Sequence, residues 1–338
     1  MLKLSPLRLS LILSLLLFAS ALLSLSWGRY DFSPFASLLE FGRYLGLLPG
    51  DADNMVVNLM LDVRLPRIIA AILIGAALAI AGTAFQALFM NPLVSPGILG
   101  VLSGAAFGSA LGLLLSDSFW LMQVLAFGFG LVAVGIALLL AKGELRQNLT
   151  VLVLGGMISG ALFTAFLSVI KYVADPYNKL PAIVYWLMGS LAHTDMSMML
   201  MVAPFMLAGI VLLWLQGHSL NVLSLGDDEA RTLGIHVERK RMMIIVVASF
   251  LGAITVTLGG MIGWVGLVIP HIARLLFGAD NRVLLPASAL LGAIYLLWVD
   301  NVARLAMSVE IPLGILTALI GLPVFAWALR HSKRAWQS

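Results

Sequence analysis

Residues 64–97, RLPRIIAAILIGAALAIAGTAFQALFMNPLVSPG, decide the fold class. Two arginines three apart open a long apolar run, and the run ends at a break carrying Pro92 and Pro96. A hydrocarbon core about 30 Å thick needs about 20 apolar residues to be spanned by a helix, and this run supplies them. Paired positive charge at one face and a shaped chain reversal at the other point to transport rather than to a simple anchor.

The rest of the chain has the same character. Apolar residues make up 61% of it, charged residues only 11%, and the mean hydropathy is +1.06, well outside the soluble range. The 338 residues leave room for about eight to eleven spans and only a small soluble part. Cysteine is absent, which excludes disulfides, thiolate metal sites and haem attachment. The net charge of +4 comes from scattered residues with no aromatic-interleaved basic patch, so no nucleic-acid partner is expected.

Apolar runs between charges and prolines predict ten spans, near 7–28, 66–88, 97–115, 119–141, 149–171, 196–216, 242–262, 264–278, 284–306 and 311–330. The seventh and eighth are hardest to separate, because Gly259, Gly260, Gly263 and Gly266 blur their joint. Residues 1–21 also carry signal-peptide features: Lys3, Arg8, an apolar run and Ala19-Ser20-Ala21. The run continues to Leu25, which favours a retained helix. With both termini cytoplasmic, the inner face holds thirteen of the 20 lysines and arginines.

Arg64, Arg67 and Arg304 are then exceptions at the outer face. From chemistry alone two readings stand. They present positive charge outward, or they snorkel and pair with Asp62 and Asp300, the latter at i, i+4 from Arg304. Small residues recur at helical spacing in Gly100, Gly104, Gly108 and Gly112, in Gly75 with Ala79, and in Gly156 with Gly160. That pattern favours close helix packing over pore lining. Pro270, Pro312 and Pro323 are expected to interrupt later spans. The one substantial cytoplasmic loop, 217–241, contains Asp227, Asp228 and Glu229 followed by Gly234, the grammar of one short amphipathic helix.

Chemistry-bearing motifs are missing. His193, His218, His236, His271 and His331 form no metal signature, and no G-x-x-x-x-G-K-[ST] loop occurs, so ATP would have to be bound by another subunit. Asp300 is the only carboxylate placed within a predicted span, so no intramembrane proton relay is visible.

The stretches RLPR (64–67), GAALAIAGTAFQALFMNPLVSPGILG (75–100), LGDDEARTLGI (225–235), GWVGLVIPHIARLL (263–276), DNRVLLPASALLGA (280–293) and EIPLGILTALIGLPVFAWAL (310–329) resemble the permease subunits of FecCD-type ABC importers. The likeness spans nearly the whole chain. It implies an all-α integral membrane protein of the type II importer architecture, with residues 1–338 as one transmembrane domain. It also implies a homodimer with the path at its two-fold axis, two cytoplasmic ATP-binding subunits, a periplasmic or lipid-anchored substrate-binding protein, and a lipid environment in a bacterial inner membrane. No cofactor is implied for the permease itself, and it is not expected to be an enzyme.

By the same resemblance, Arg64, Arg67 and Arg304 match positions that dock the binding protein. Residues 225–235 match the coupling helix, with Gly226, Ala230, Arg231, Leu233 and Gly234 as contact candidates. The cytoplasmic gate maps to Gln147, Asn148, Leu149 and Thr150. Trp264 departs from the family's frequent Phe, and residues 29–60 and 173–195 match no family pattern. Within 174–191, Asp175, Lys179, Tyr185 and Trp186 read as an outer cap or an interfacial belt. The cargo expected is a metal chelate of the iron-siderophore, haem or cobalamin class, with molybdate or tungstate as the alternative. Two other classes stand as rivals: an ATP-independent secondary carrier, and a membrane enzyme using His271 with Glu310.

Overall fold

The computed structural model describes residues 6–28, 34–51, 53–142 and 149–331, and among them there is no strand. In chain order the helices are α1 (Pro6–Ser26), α2 (Pro34–Tyr44) and α3 (Asn54–Asn58), then a π-helical turn over Leu59–Arg64 that runs directly into α4 (Leu65–Leu88). A 3₁₀ turn at Pro96–Leu99 precedes α5 (Val101–Leu115), followed by α6 (Phe119–Leu140), α7 (Leu149–Val173) and α8 (Lys179–Leu187). Then come α9 (Met196–Trp214), α10 (Gly217–Leu223), α11 (Asp227–Thr232), α12 (Val237–Gly259), α13 (Val265–Phe277), α14 (Asn281–Leu305) and α15 (Leu313–His331).

Ten of these helices, α1, α4, α5, α6, α7, α9 and α12 to α15, coincide with the ten predicted spans. Seven helical stretches are long and apolar enough to cross a membrane, and three shorter apolar helices, α5, α13 and α15, complete the set. The joint between the seventh and eighth spans is resolved at residues 260–264, where Gly260 at φ 70° and Trp264 at φ 66° turn the chain. A left-handed tryptophan is uncommon, since a bulky side chain disfavours that region.

Three expectations are corrected. The loop 217–241 holds two short helices, α10 and α11, and its last five residues already belong to α12, because the apolar face of α12 starts at the buried Val237. Pro270 and Pro323 sit inside α13 and α15 without ending them, and Pro312 lies just ahead of α15. Lost helical bonds are tolerated in spans where neighbouring groups satisfy the freed carbonyls. Residues 29–60, for which no pattern was found, contribute α2, α3 and most of the π turn.

α4 is the centre of the molecule. From Pro66 to Leu88 every residue except Ile69 and Ile72 is buried, and the helix packs against α14, α12, α13 and α9. A helix apolar all round must be enclosed on all sides. Enclosure this close requires glycine where backbones touch: a Cβ on Gly75 would lie 2.2 Å from the Gly292 carbonyl oxygen. The stripe on α5 also packs, with would-be Cβ atoms on Gly104 and Gly108 at 2.3 and 2.2 Å from carbonyl oxygens of α6. Gly100 departs from that stripe. It stands ahead of α5 at φ 82°, against Gly156 and Gly160 of α7.

Candidate functional site

Two polar regions interrupt this apolar body, one at each end of the spans. At the outer end, α4 brings Arg67 against α14 and the segment leading into α15. Its Nε donates to both carboxylate oxygens of Asp300, at 2.9 and 3.1 Å. Its Nη1 and Nη2 donate to Oε1 and Oε2 of Glu310, at 3.0 and 2.9 Å. Planar guanidinium donors match paired carboxylate acceptors, so Arg67 ties three elements with four charge-assisted bonds.

One helical turn beyond Asp300, Arg304 lies 3.2 Å from Asp300 Oδ2 through its Nε. It also donates to Asn301 Oδ1 and, at 3.2 Å, to Ser24 Oγ of α1. Arg64, in the π turn, donates Nη1 to the Leu25 and Ser26 carbonyls at 2.8 and 3.2 Å, satisfying acceptors left open at the end of α1. Gly28 leaves room for it, since a Cβ there would sit 2.2 Å from Arg64 Nη2.

All three arginines are therefore buried, at 4%, 7% and 8% exposure, and the expectation of outward-pointing charge is corrected. The pairing of Arg304 with Asp300 is present, whereas Arg64 meets α1 carbonyls instead of Asp62. Burial follows from chemistry: guanidinium groups at apolar helix ends are held inside only when hydrogen-bonded and paired. Three cations face two carboxylates, Asp300 and Glu310, which leaves one net positive charge. Glu310, whose side chain is 22% exposed, is the most open of the paired groups.

At the cytoplasmic end, α10 and α11 form a folded bracket. Gly226 at φ 121° and Gly234 at φ 80° bound α11 and fix its turns. Ala230 is fully buried, so it packs the bracket and is not available as a contact, correcting its place among the contact candidates. Leu233 is 60% exposed, and Leu225, which sequence reasoning left out, is 62% exposed. Arg231 bonds Asp228 and Glu238, and Glu238 holds its guanidinium above the ordinary value.

Arg241 of α12 makes a two-pronged pair with Asp227, at 2.8 and 2.5 Å. Asn221 of α10 reaches Asp280 and Asn281 at the start of α14. Asp280 is held well below the usual carboxylate range, first by hydrogen bonding from Arg282 and then by Asn221. Of the gate residues, Leu149 and Thr150 open α7, with Thr150 exposed, while Gln147 and Asn148 lie outside the described residues.

Within the segment that matched no family pattern, Lys179 pairs with Asp117 at 2.6 Å and keeps that carboxyl below its usual value. Asp175 accepts backbone bonds from Tyr177 and Asn178. Tyr185 and Trp186 line a cavity of about 220 Å³ with Phe119, Met122 and His193. His271 stacks edge-on against Phe325, and Glu310 is held by Arg67, so the two do not form the pair that the enzyme reading required. Among the described residues, no three His, Asp or Glu side chains gather to hold a metal.

The partners of Arg67 lie 233 and 243 residues away along the chain. Only the Asp300–Arg304 spacing carried a signal of this network. Asn221, Asp227, Arg241, Asp280 and Glu310 were not singled out as site residues, because short polar joints leave no periodic trace.

Known proteins share this whole arrangement. The FecCD transport family profile matches residues 15–331. The molybdate import system permease protein MolB of Haemophilus influenzae is 41% identical, over 95% of this chain and 95% of its own. The hemin transport system permease protein HmuU of Yersinia pestis is 38% identical, over 83% and 86%. The vitamin B12 import system permease protein BtuC of Salmonella paratyphi A is 39% identical, over 85% and 89%. A solved metal-chelate type ABC transporter, in an inward-facing conformation, superposes with a TM-score of 0.86 at 39% identity, covering 96% of this chain and 99% of that one. With the family profile spanning nearly all of its length, the chain belongs to the FecCD transport family and is a multi-pass inner-membrane permease subunit of an ABC importer, not an enzyme.

Proposed function

We propose that the chain forms a homodimer whose two-fold axis is the import pathway for a metal chelate, opened alternately to the two sides by ATP hydrolysis in two partner subunits. The observation that carries this reading is the cytoplasmic bracket. A folded, ion-paired segment presents Leu225 and Leu233 to solvent, and exposed leucines on a braced surface suit a protein partner. Gly226 and Gly234 shape that surface, and Arg231 contributes a charged edge. Leu149 and Thr150 at the inner mouth of α7 serve as the gate.

A substrate-binding protein seats on the outer cluster of Arg64, Arg67 and Arg304. The residual positive charge and the open edge of Glu310 support this, with acidic residues expected on the binding protein. A second cargo class, molybdate or tungstate, is favoured by the 41% identity to the molybdate permease over 95% of both chains.

Purification of the tagged chain from its native host in mild detergent, with mass spectrometry of what accompanies it, tests the importer. An ATPase at equal stoichiometry is the expected result. Its absence, in detergent that keeps a known importer whole, would favour the secondary carrier. Uptake of labelled iron chelate against labelled molybdate by the reconstituted complex then decides the cargo.

A further inference from the structure

α14 is held by polar groups at both of its ends, and each end belongs to a different functional region. At the inner end, Asp280 caps the helix by accepting from the Arg282 amide at 3.0 Å. Asn221 of α10 donates Nδ2 to Asp280 Oδ1 at 2.6 Å, and its Oδ1 accepts from the Asn281 amide and Nδ2 at 2.8 and 2.9 Å. The first residue of α10 presses on the same turn, where a Cβ on Gly217 would meet Arg282 Cα at 2.9 Å. At the outer end stand Asp300 and Arg304, bonded to α4 and α1.

A helix rises about 1.5 Å per residue, so the inner and outer joints lie about 30 Å apart. Pro286 removes one helical bond in the second turn, so any bend falls beside the inner joint and leaves the remainder stiff. Between the joints, α14 packs along α4 with backbones in contact at Gly75 and Gly292. Apolar faces can slide, whereas directional hydrogen bonds fix position along the axis.

We propose that α14 is a connecting rod between the cytoplasmic bracket and the outer arginine cluster, with Asn221 as the positioning residue of its inner joint. The proposal rests on the coupling and docking readings above. Displacement of the bracket by the ATPase is carried by Asn221 to the first turn of α14 and delivered at Asp300 to Arg67 and Arg304. Seating of the binding protein is signalled inward by the same element.

The test uses the complete importer, permease with its ATPase and loaded binding protein, in lipid nanodiscs. Asn221→Ala should keep basal ATP hydrolysis and binding-protein affinity within about two-fold of wild type. Stimulation of hydrolysis by the loaded binding protein should fall at least five-fold. Stimulation at the wild-type level overturns the rod.

A second variant covers the case in which Asn221→Ala assembles poorly. Because the chain has no cysteine, Asn221→Cys with Asn281→Cys can be bridged selectively by a short thiol crosslinker. The open pair should lose stimulation and the bridged pair recover it, and a bridge that restores nothing overturns the proposal. If the loaded binding protein fails to bind or stimulate even the wild-type complex, the docking reading has failed instead.

Discussion

The outer cluster and the cytoplasmic bracket both hold arginines against carboxylates, yet they are built to opposite rules. Outside, Arg67 and Asp300 are sealed from solvent, at 9% and 0% side-chain exposure. Inside, Arg231 and Asp228 stand open, at 44% and 96%. Buried pairs are costly to break, while exposed ones contribute little. The outer charges therefore fix the positions of helices, and the inner ones trim a surface whose partner-facing groups are apolar.

Breaking the outer region should have the largest effect. Arg67→Glu places a third carboxylate between Asp300 and Glu310, and removing one partner of a buried pair already costs about 3–5 kcal/mol. The expected outcome is loss of folded permease, read as lost monodispersity in detergent. A well-folded Arg67→Glu protein that only fails to dock its binding protein would show that the cluster is a surface rather than a staple.

The bracket sharpens the contrast with two residues three apart. Ala230→Asp buries a charge without a partner and should lower thermal stability as well as release the ATPase. Leu233→Asp should release the ATPase at unchanged thermal stability. Equal losses of stability in both variants would mean that Leu233 packs within the chain.

Acidification should give the smallest effect. The folded pKa of Asp280 lies below its ordinary value of 3.8, so the stability it contributes is present above that pH and is lost as pH falls toward the folded pKa. The melting temperature of the permease should carry no Asp280-dependent slope between pH 7 and 5. A difference from Asp280→Asn should emerge and then narrow below about pH 4, and a difference that narrows already near neutrality would contradict the sign.

The spans were legible because about 20 consecutive apolar residues leave few alternatives to a membrane helix. The stripe of Gly104, Gly108 and Gly112 was legible as packing for a related reason, since a spacing of four places all three on one face. Arg67 was visible as an exception to the charge bias, but not as the partner of Asp300 and Glu310. That juxtaposition depends on how α4 and α14 pair, which no local pattern encodes. Ala230 was misassigned because its burial comes from packing within the bracket, and the helix grammar of 227–234 is the same whether alanine faces inward or outward. α10 escaped notice for want of length, as seven residues are too few to establish a period.

The π-helical turn at Leu59–Arg64 also bears on how this chain can change over generations. A π turn is an α-helix carrying one extra residue, and each residue turns the helix by about 100°. Deleting one residue there would restore regular winding without breaking the helix, and would swing everything upstream of the turn, α2 and α3 included, around the helix axis relative to Arg67. Substitutions in this stretch are local events, but changes in its length act as rotations, so its residue count is under tighter constraint than its composition.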